Sequence, residues 1–458
     1  MKSHTLNLDN IKNIHMIGIG GSGMFSITKV LIEKGFKITG SDSCESETTE
    51  KVRNLGIKLF IGHSADNIGT PDLVVFSAAI KKENPEIQEA QKKGIPCIER
   101  SVMLGLIANK YKNSIAVSGT HGKTSTTSII THILLDAEKD PTAIIGGTLP
   151  RINGNSCTGN SDIIVCEACE YVDSFLELSP KISVILNVDA DHLDYFKDIQ
   201  GVKRSFSEFI KLTKDLAVIN GDDENAVAIS SEGNCRKIFY GLSEKNDYYA
   251  KNIDFNEYRC PNFDIFHKQT KIMRVDLNIP GTHNIYNALA AIIVCLELGV
   301  SSDQITTSIR NFKGAHRRFE ILGKVNEITI ADDFAHHPTE IKATLSAAKG
   351  MNFKKVLVVF QPHTFSRTYA FLNEFAESLS IADKVILTDI LPVRETNTFN
   401  IYSEDLGKKI NGSICVKTFS EAADAVSREA KPGDLILTMG GGNIYQCASM
   451  IISNLENV

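Results

Sequence analysis

The segment Gly119-Thr120-His121-Gly122-Lys123-Thr124 limits what this chain can fold into more than any other stretch. Ile115–Ser118 before it is an apolar run of strand character, and Lys123–Leu135 after it reads as a helix. Strand, glycine loop and helix in that order make a phosphate cradle, because backbone N–H groups at a helix N-terminus point at the anion and the helix dipole adds to the attraction. Lys123 has the reach for β and γ phosphates, and the Thr124 hydroxyl suits Mg²⁺. Gly119, Thr120, His121, Gly122, Lys123, Thr124 and Ser125 are therefore candidate ATP-binding residues. The spacing GxxGKT is shorter than the common GxxxxGK[ST] by two residues.

The same rhythm recurs along the chain. His15–Ile19, Ile163–Cys166, Ser183–Leu186, Val356–Phe360, Val385–Leu387 and Leu435–Met439 are short apolar runs that end in Gly or polar residues and lead into helical patterns. Such βα units predict an α/β fold with mainly parallel sheets, whose ligands lie beyond the carboxyl ends of the strands. A chain of 458 residues exceeds one ordinary core. The pattern changes near residues 108–113 and again near 311–316, which predicts three consecutive α/β domains over 1–110, 111–314 and 315–458: Rossmann-like, P-loop ATPase-like and Rossmann-like. No repeat or low-complexity tract interrupts them.

Lys and Arg number 49 against 55 Asp and Glu, a net charge of −6 without blocks of one sign, so the expected ligands are small molecules rather than nucleic acid. The N-terminus lacks a secretory apolar core, no run reaches the length of a membrane span, and ten cysteines are scattered, which together predict a soluble cytoplasmic protein with reduced thiols. Cys166 and Cys169 form a lone CxxC, which two thiols around a strand end explain more simply than half a zinc site. Monomer and homodimer are equally open.

Phosphoryl transfer needs a cation to offset charge on the γ-phosphate, and Mg²⁺ prefers oxygen ligands. Two strand ends supply candidates: Glu167-Ala168-Cys169-Glu170, and Asp189-Ala190-Asp191-His192. Near the N-terminus, Gly18-Ile19-Gly20-Gly21-Ser22-Gly23 lies between a strand and a helix, and Asp42 ends the next strand. Alone, this reads as a dinucleotide fingerprint, glycines for a pyrophosphate and an acid for a ribose, so an NAD-dependent oxidoreductase is a competing reading. A UDP-sugar makes the same demands, and the phosphate loop in the next domain favours it. Ser77 and His63 follow short apolar segments and are candidates for the same cleft.

The chain resembles the Mur ligases over nearly its whole length. The resemblance rests on GTHGKTSTT at 119–127, EACEYVDSF at 167–175, NVDADHLDYF at 187–196, HNIYNALAA at 283–291, HRRFE at 316–320, DDFAHHPTE at 332–340 and QPHTFSRT at 361–368. HRRFE and DDFAHHPTE look like the alanine-adding members. The resemblance implies ATP-dependent joining of L-alanine to the lactyl carboxylate of UDP-N-acetylmuramate through an acyl phosphate. It implies ATP and Mg²⁺ at Lys123 and Thr124, with Glu167 and His192 completing the metal site. It implies that His283, Asn284 and Asn287 lie near the adenine, that Arg317 or Arg318 reaches the ATP phosphates, and that Asp332 and Asp333 lie near the ribose. His336 or His337, with Arg367, would face the amino acid's carboxylate.

Read from the residues alone, Arg317-Arg318 is a charge pair at a junction, and the paired histidines are caps ahead of Pro338. Where many relatives carry Asp and Ser in the acidic strand-end motif this chain has EACEYVD, so Glu167 and Glu170 compete for the metal, Glu167 ranking first. Thr364 and Tyr369 stand where many alanine-adding enzymes have further arginines. No lysine matches the carbamylated one of other Mur ligases. The nearest alternative is a murein tripeptide ligase on the same nucleotide. A folate-type polyglutamate ligase is disfavoured by the GxGxxG domain, and a non-catalytic nucleotide-binding regulator by the filled lysine and metal positions.

Overall fold

A computed structural model describes residues 6–393 and 395–457. Its internal contacts divide the chain into two compact units: Met1–Val188 with Lys203–Ile238, and Asp189–Val202 with Phe239–Val458.

The first unit holds a five-stranded parallel sheet in the spatial order Lys58–Ile61, Lys37–Asp42, Asn13–Ile17, Leu73–Phe76, Cys97–Glu99. Met16, Ile17, Leu73, Val74 and Val75 are buried, which is why these strands read as unbroken apolar runs. The strand order reverses at Asn13–Ile17, so the glycine loop leaves the sheet at its switch point, where open α/β sheets bind ligands. Behind the strands lies a fully buried carboxylate, Glu86, which accepts from Ser41 Oγ at 2.5 Å and Asn67 Nδ2 at 2.6 Å.

The larger sheet of this unit places Asn113–Ser118 between Ile182–Ile185 and Ile163–Glu167, all parallel, with Leu216–Asn220 beyond one neighbour and Thr142–Leu149 beyond the other. Gly154–Cys157 closes that edge as an antiparallel partner of Thr142–Leu149. The helix Lys123–Asp136 buries Ile129, Ile130, Ile133 and Leu134, fixing the phosphate loop between the central strand and its helix.

In the second unit Tyr240 and Gly241 pair in parallel with Tyr248 and Tyr249. The chain then turns antiparallel through Tyr248–Phe255, Pro261–His267 and Thr270–Asp276. The helix His283–Glu297 follows. A six-stranded sheet has the order Glu320–Val325, Ile328–Asp333, Leu435–Met439, Val356–Phe360, Lys384–Leu387, Ile414–Cys415, antiparallel only at the first pair. Val358, Phe360 and Leu387 face one hydrophobic core, and Leu357, Val359 and Ile386 face another.

Each apolar run read from the sequence falls on a strand, though the strand read at His15–Ile19 ends at Ile17 and that at Ser183–Leu186 ends at Ile185, and the α/β class with mainly parallel sheets holds. The antiparallel segment at 248–276 is an addition to it. All ten cysteines are free thiols, so Cys166 and Cys169 form no disulfide, and Cys166 lies buried in its strand. No helix among the described residues is long and apolar enough to cross a membrane.

Candidate active site

Gly119 and Gly122 adopt φ of +142° and +86°. A side chain at Gly119 would also place its Cβ 2.8 Å from Leu186 Cβ and 3.2 Å from the Asn187 nitrogen, so only glycine lets the loop lie this close to the neighbouring strand end. Asn187 clamps the loop in return: its Oδ1 accepts the His121 N–H at 2.8 Å and its Nδ2 donates to the His121 carbonyl at 3.1 Å. The sequence reading had Asn187 inside a motif and gave it no role. Its signal is a lone asparagine at a strand's carboxyl end.

Lys123 curls over this loop. Its Nζ donates to the Gly119 and Thr120 carbonyls and to the Glu170 carboxylate at 2.9 Å. Burial opposes its charge, but Glu170, helped by Cys169 and Glu167, outweighs burial and holds the ammonium above its ordinary range. Lys123 is thus a fixed cation, and Glu170, 2 % exposed, is its partner. A Cβ at Gly146 would lie 2.0 Å from Glu167 Oε2, and one at Gly147 would lie 2.9 Å from Thr124 Cγ2. No motif marked these two glycines, which leave room beside the Glu167 carboxylate and beside the Thr124 side chain, a carboxylate and a hydroxyl being oxygen donors that a hard cation takes. Ser125 follows in the first turn of the same helix.

The glycine loop of the first sheet gathers several expected residues. Gly18 has φ +77° and its Cβ position lies 3.3 Å from Ser77 Cβ. Asp42 Oδ2 accepts the Gly20 N–H at 2.8 Å, so this carboxylate closes the loop on itself. A Cβ at Gly20 would press on Thr49 and Asp42 at 2.7 and 2.9 Å. Gly21 caps the helix that begins at Ser22. His63 Nδ1 lies 3.2 Å from Ser41 Oγ and 3.6 Å from Glu86, which ties it to the buried network under the cleft. Two residues come in that no motif marked. The Arg100 guanidinium lies 3.3 Å from the Cβ position of Gly23, a cation beside the glycine loop. Asn155 Nδ2 donates to the Ser22 carbonyl at 3.2 Å and to its Oγ at 3.1 Å.

In the second unit the two arginines separate. Arg317 Nε donates to Asp332 at 2.7 Å, Nη1 to the Gly442 carbonyl at 2.6 Å and Nη2 to the Gly440 carbonyl at 2.8 Å. All three nitrogens thus brace the loop after Leu435–Met439, and Asp332 is held further by Thr438 Oγ1 at 2.6 Å. Arg318 lies over the Phe334 ring at 5.1 Å. Asp333 accepts the Phe319 and Ala335 N–H groups at 2.8 and 2.7 Å, and its burial, against the pull of Arg318, pushes its carboxyl up to about 6. Asn284 Nδ2 donates to the Pro280 carbonyl at 2.7 Å and Asn287 Nδ2 to Asn284 Oδ1 at 2.9 Å, while His283 begins their helix on the surface.

The paired histidines divide as well. His337 caps the helix Pro338–Lys349, its Nδ1 accepting the Thr339 N–H at 3.3 Å, and its Nε2 donates to the Ala190 carbonyl at 3.2 Å. The capping role read from the residues alone is the observed one. His336 Nδ1 donates to the Phe334 carbonyl at 2.9 Å, and its ring lies 5.3 Å from that of His363. Arg367 is buried against Asp191, with Nη2 2.8 Å from Oδ1 and Nε 3.1 Å from the same oxygen, and its Nη1 donates to His363 Nδ1 at 3.0 Å. Burial would raise the Asp191 carboxyl, but Arg367 overrides it and holds it well below the usual range. Burial lowers His336 to about 4 and His363 to about 3, so both rings are neutral at pH 7. His192, at φ +53°, follows directly and donates its N–H to Asp191 Oδ1 at 2.7 Å.

Three family descriptions match successive parts of the chain: Mur ligase family, catalytic domain, over 13–112; Mur ligase middle domain over 117–295; and Mur ligase, glutamate ligase domain, over 317–442. A UDP-N-acetylmuramate–L-alanine ligase of Clostridium tetani is 45 % identical over 97 % of this chain and 99 % of its own. One of Clostridium botulinum (strain Loch Maree) is 47 % identical over 97 % and 98 %. The crystal structure of the UDP-N-acetylmuramate–alanine ligase of Thermotoga maritima superposes with a TM-score of 0.82 at 30 % identity, covering 98 % of this chain and 100 % of that one.

Proposed function

The chain belongs to the Mur ligase family, and we propose that within it this protein joins L-alanine to the lactyl carboxylate of UDP-N-acetylmuramate with ATP, in peptidoglycan precursor synthesis. What supports the reading most is the full-length likeness to alanine-adding ligases, which extends through both the phosphate cradle and the Arg367 cluster. Both nucleotides are cytoplasmic metabolites, so the cytoplasm is the proposed compartment.

The lactyl carboxylate attacks the γ-phosphorus and displaces ADP; the ammonium of L-alanine loses a proton, and its amine then attacks the acyl phosphate and displaces phosphate, losing a second proton. In this scheme the glycine loop Gly18–Gly23, with Ser77 and Arg100, holds the UDP diphosphate. Asp42 acts by keeping that loop closed, since it already receives the Gly20 amide. Gly119–Ser125 cradles the ATP phosphates, and Lys123 supplies a charge that Glu170 keeps in place. Thr124 and Glu167 fit Mg²⁺, which would offset charge on the γ-phosphate, and His192 keeps the metal role implied by the resemblance. His283, Asn284 and Asn287 take the adenine, and Asp332 and Asp333 line the ribose. Arg318 is the arginine left for the phosphates, because Arg317 braces the Gly440–Gly442 loop. Arg367 receives the carboxylate of L-alanine, with His336 and His337 beside it. Catalysis is then mostly positioning and charge stabilisation.

The test is phosphate release from ATP with UDP-N-acetylmuramate, comparing L-alanine, L-serine, glycine and a murein tripeptide as acceptors. L-alanine should be preferred. Release with the tripeptide alone would move the chain to the murein peptide ligases, and no release with any acceptor would contradict the ligase reading.

A further inference from the structure

Gln361 and Thr388 stand one residue beyond the ends of neighbouring parallel strands, whose last paired residues are Phe360 and Leu387. Alternation puts both side chains on the same face of the sheet. Gln361 is 7 % exposed and Thr388 1 %, yet Gln361 Oε1 and Thr388 Oγ1 have no protein hydrogen-bond partner. Leaving such an atom unpaired costs about 1–3 kcal/mol, and two adjacent ones at the carboxyl edge of an α/β sheet indicate groups kept for a ligand.

The surroundings say which ligand. The Gly440–Gly442 loop, braced by Arg317, lies against Gln361 on one side and the histidines on the other. A Cβ at Gly442 would lie 2.9 Å from Gln361 Oε1, and one at Gly441 would lie 3.0 Å from His363 and 3.2 Å from His336. Beyond His363 comes Arg367. An α-amino acid has an acceptor-only end, its carboxylate, and a donor-only end, its ammonium. Arg367 can only donate and suits the first. Gln361 Oε1 and Thr388 Oγ1 are neutral acceptors and suit the second. His336 and His363, uncharged at neutral pH, add no positive charge on the far side of the loop from the glutamine.

We propose that Gln361 Oε1 and Thr388 Oγ1 form the seat of the acceptor amino acid's α-ammonium group, fixing the nitrogen that becomes the amide. This rests on the reading of the chain as an amino-acid-adding ligase. It also assigns Arg317 a positioning role, through the glycine loop that backs the seat.

The test uses Gln361→Met and Thr388→Val, each close to the native volume, in the full-length enzyme. Each should raise KM for L-alanine about tenfold, the worth of one hydrogen bond, and leave KM for ATP and UDP-N-acetylmuramate within twofold. Thermal midpoints should not fall, because an unpaired buried polar atom has been removed. Propionate, which has the carboxylate without the amine, should inhibit wild type and variants alike. An unchanged KM for L-alanine in both variants, or a loss of propionate affinity parallel to that of L-alanine, overturns the proposal. If wild type releases no phosphate with L-alanine, the functional reading falls and takes this seat with it; if wild type turns over and the variants match it, only the seat falls.

Discussion

Lys123–Glu170 in one compact unit and Arg367–Asp191 in the other each set a largely buried cation against a carboxylate, and the two pairs are made differently. Lys123 and Glu170 are 17 % and 2 % exposed, and the lysine also binds two carbonyls of its own loop. Arg367 and Asp191 are 7 % and 8 % exposed, and 176 positions separate them in sequence. The first cation belongs to a contiguous motif whose shape is set by two positive-φ glycines. The second exists only after distant segments pack, with Asp189 accepting from Thr339 Oγ1 at 3.0 Å and the Ala190 carbonyl from His337 beside it. A local site can be lost without unfolding its surroundings, whereas a site built from remote segments is also part of what holds them together.

The largest expected effect breaks the local half alone. Lys123→Ala should lower kcat on the order of 10³-fold or more, with circular dichroism and the thermal midpoint near wild type. Near-normal turnover would remove the loop from the mechanism. Arg367→Met should damage stability as well as activity, because it leaves Asp191 buried without its partner; urea unfolding should show a loss of about 3–5 kcal/mol. Adding Asp191→Asn should recover part of that loss, and strictly additive effects would mean the pair is not coupled. Gly146→Ala pushes a methyl towards Glu167 and should cut activity about 10–100-fold while raising the Mg²⁺ concentration needed for half-maximal rate. An unchanged Mg²⁺ dependence would separate Glu167 from the metal.

The smallest expected effect is a pH dependence confined to the second unit. An unfolded chain protonates its histidines near 6.5, whereas folded His336 and His363 hold out to about 4 and about 3. Their contribution to stability is therefore full above 6.5 and is lost as the pH falls towards those values. Asp333 works the other way, since its folded value of about 6 adds stability as the pH falls from there towards the unfolded value of 3.8. Two histidines outweigh one carboxyl, and the net loss by pH 5 should be about 2–3 kcal/mol. His363→Gln should flatten the fall of the thermal midpoint between pH 7.5 and 5; an equal slope in the variant would mean the ring titrates normally.

The same contrast explains what could be read in advance. The phosphate loop, the N-terminal glycine loop and the buried parallel strands were legible because each is a short local pattern with a physical cause. The strands at 248–276 were not, because bulges at Lys251/Asp254 and Ile265/Phe266 break their alternation and a carboxylate, Asp264, is buried in them on Asn252, Lys271 and Arg274. Arg100 and Asn155 reach the first glycine loop as single side chains, with no spacing to betray them. Nothing near Arg317 in sequence shows that it braces Gly440 and Gly442, nor that the capping role belongs to His337 and not His336. Gln361 sat within a recognised motif, but only its missing partners single it out.

Oxygen transfer tests the central claim most directly. With ¹⁸O in the lactyl carboxylate of UDP-N-acetylmuramate, turnover with ATP and L-alanine should place one ¹⁸O in each phosphate released and leave one in the amide product, as attack of that carboxylate on phosphorus requires. Unlabelled phosphate formed alongside L-alanine-dependent product would contradict carboxylate activation at Lys123, and with it the account given for the phosphate loop.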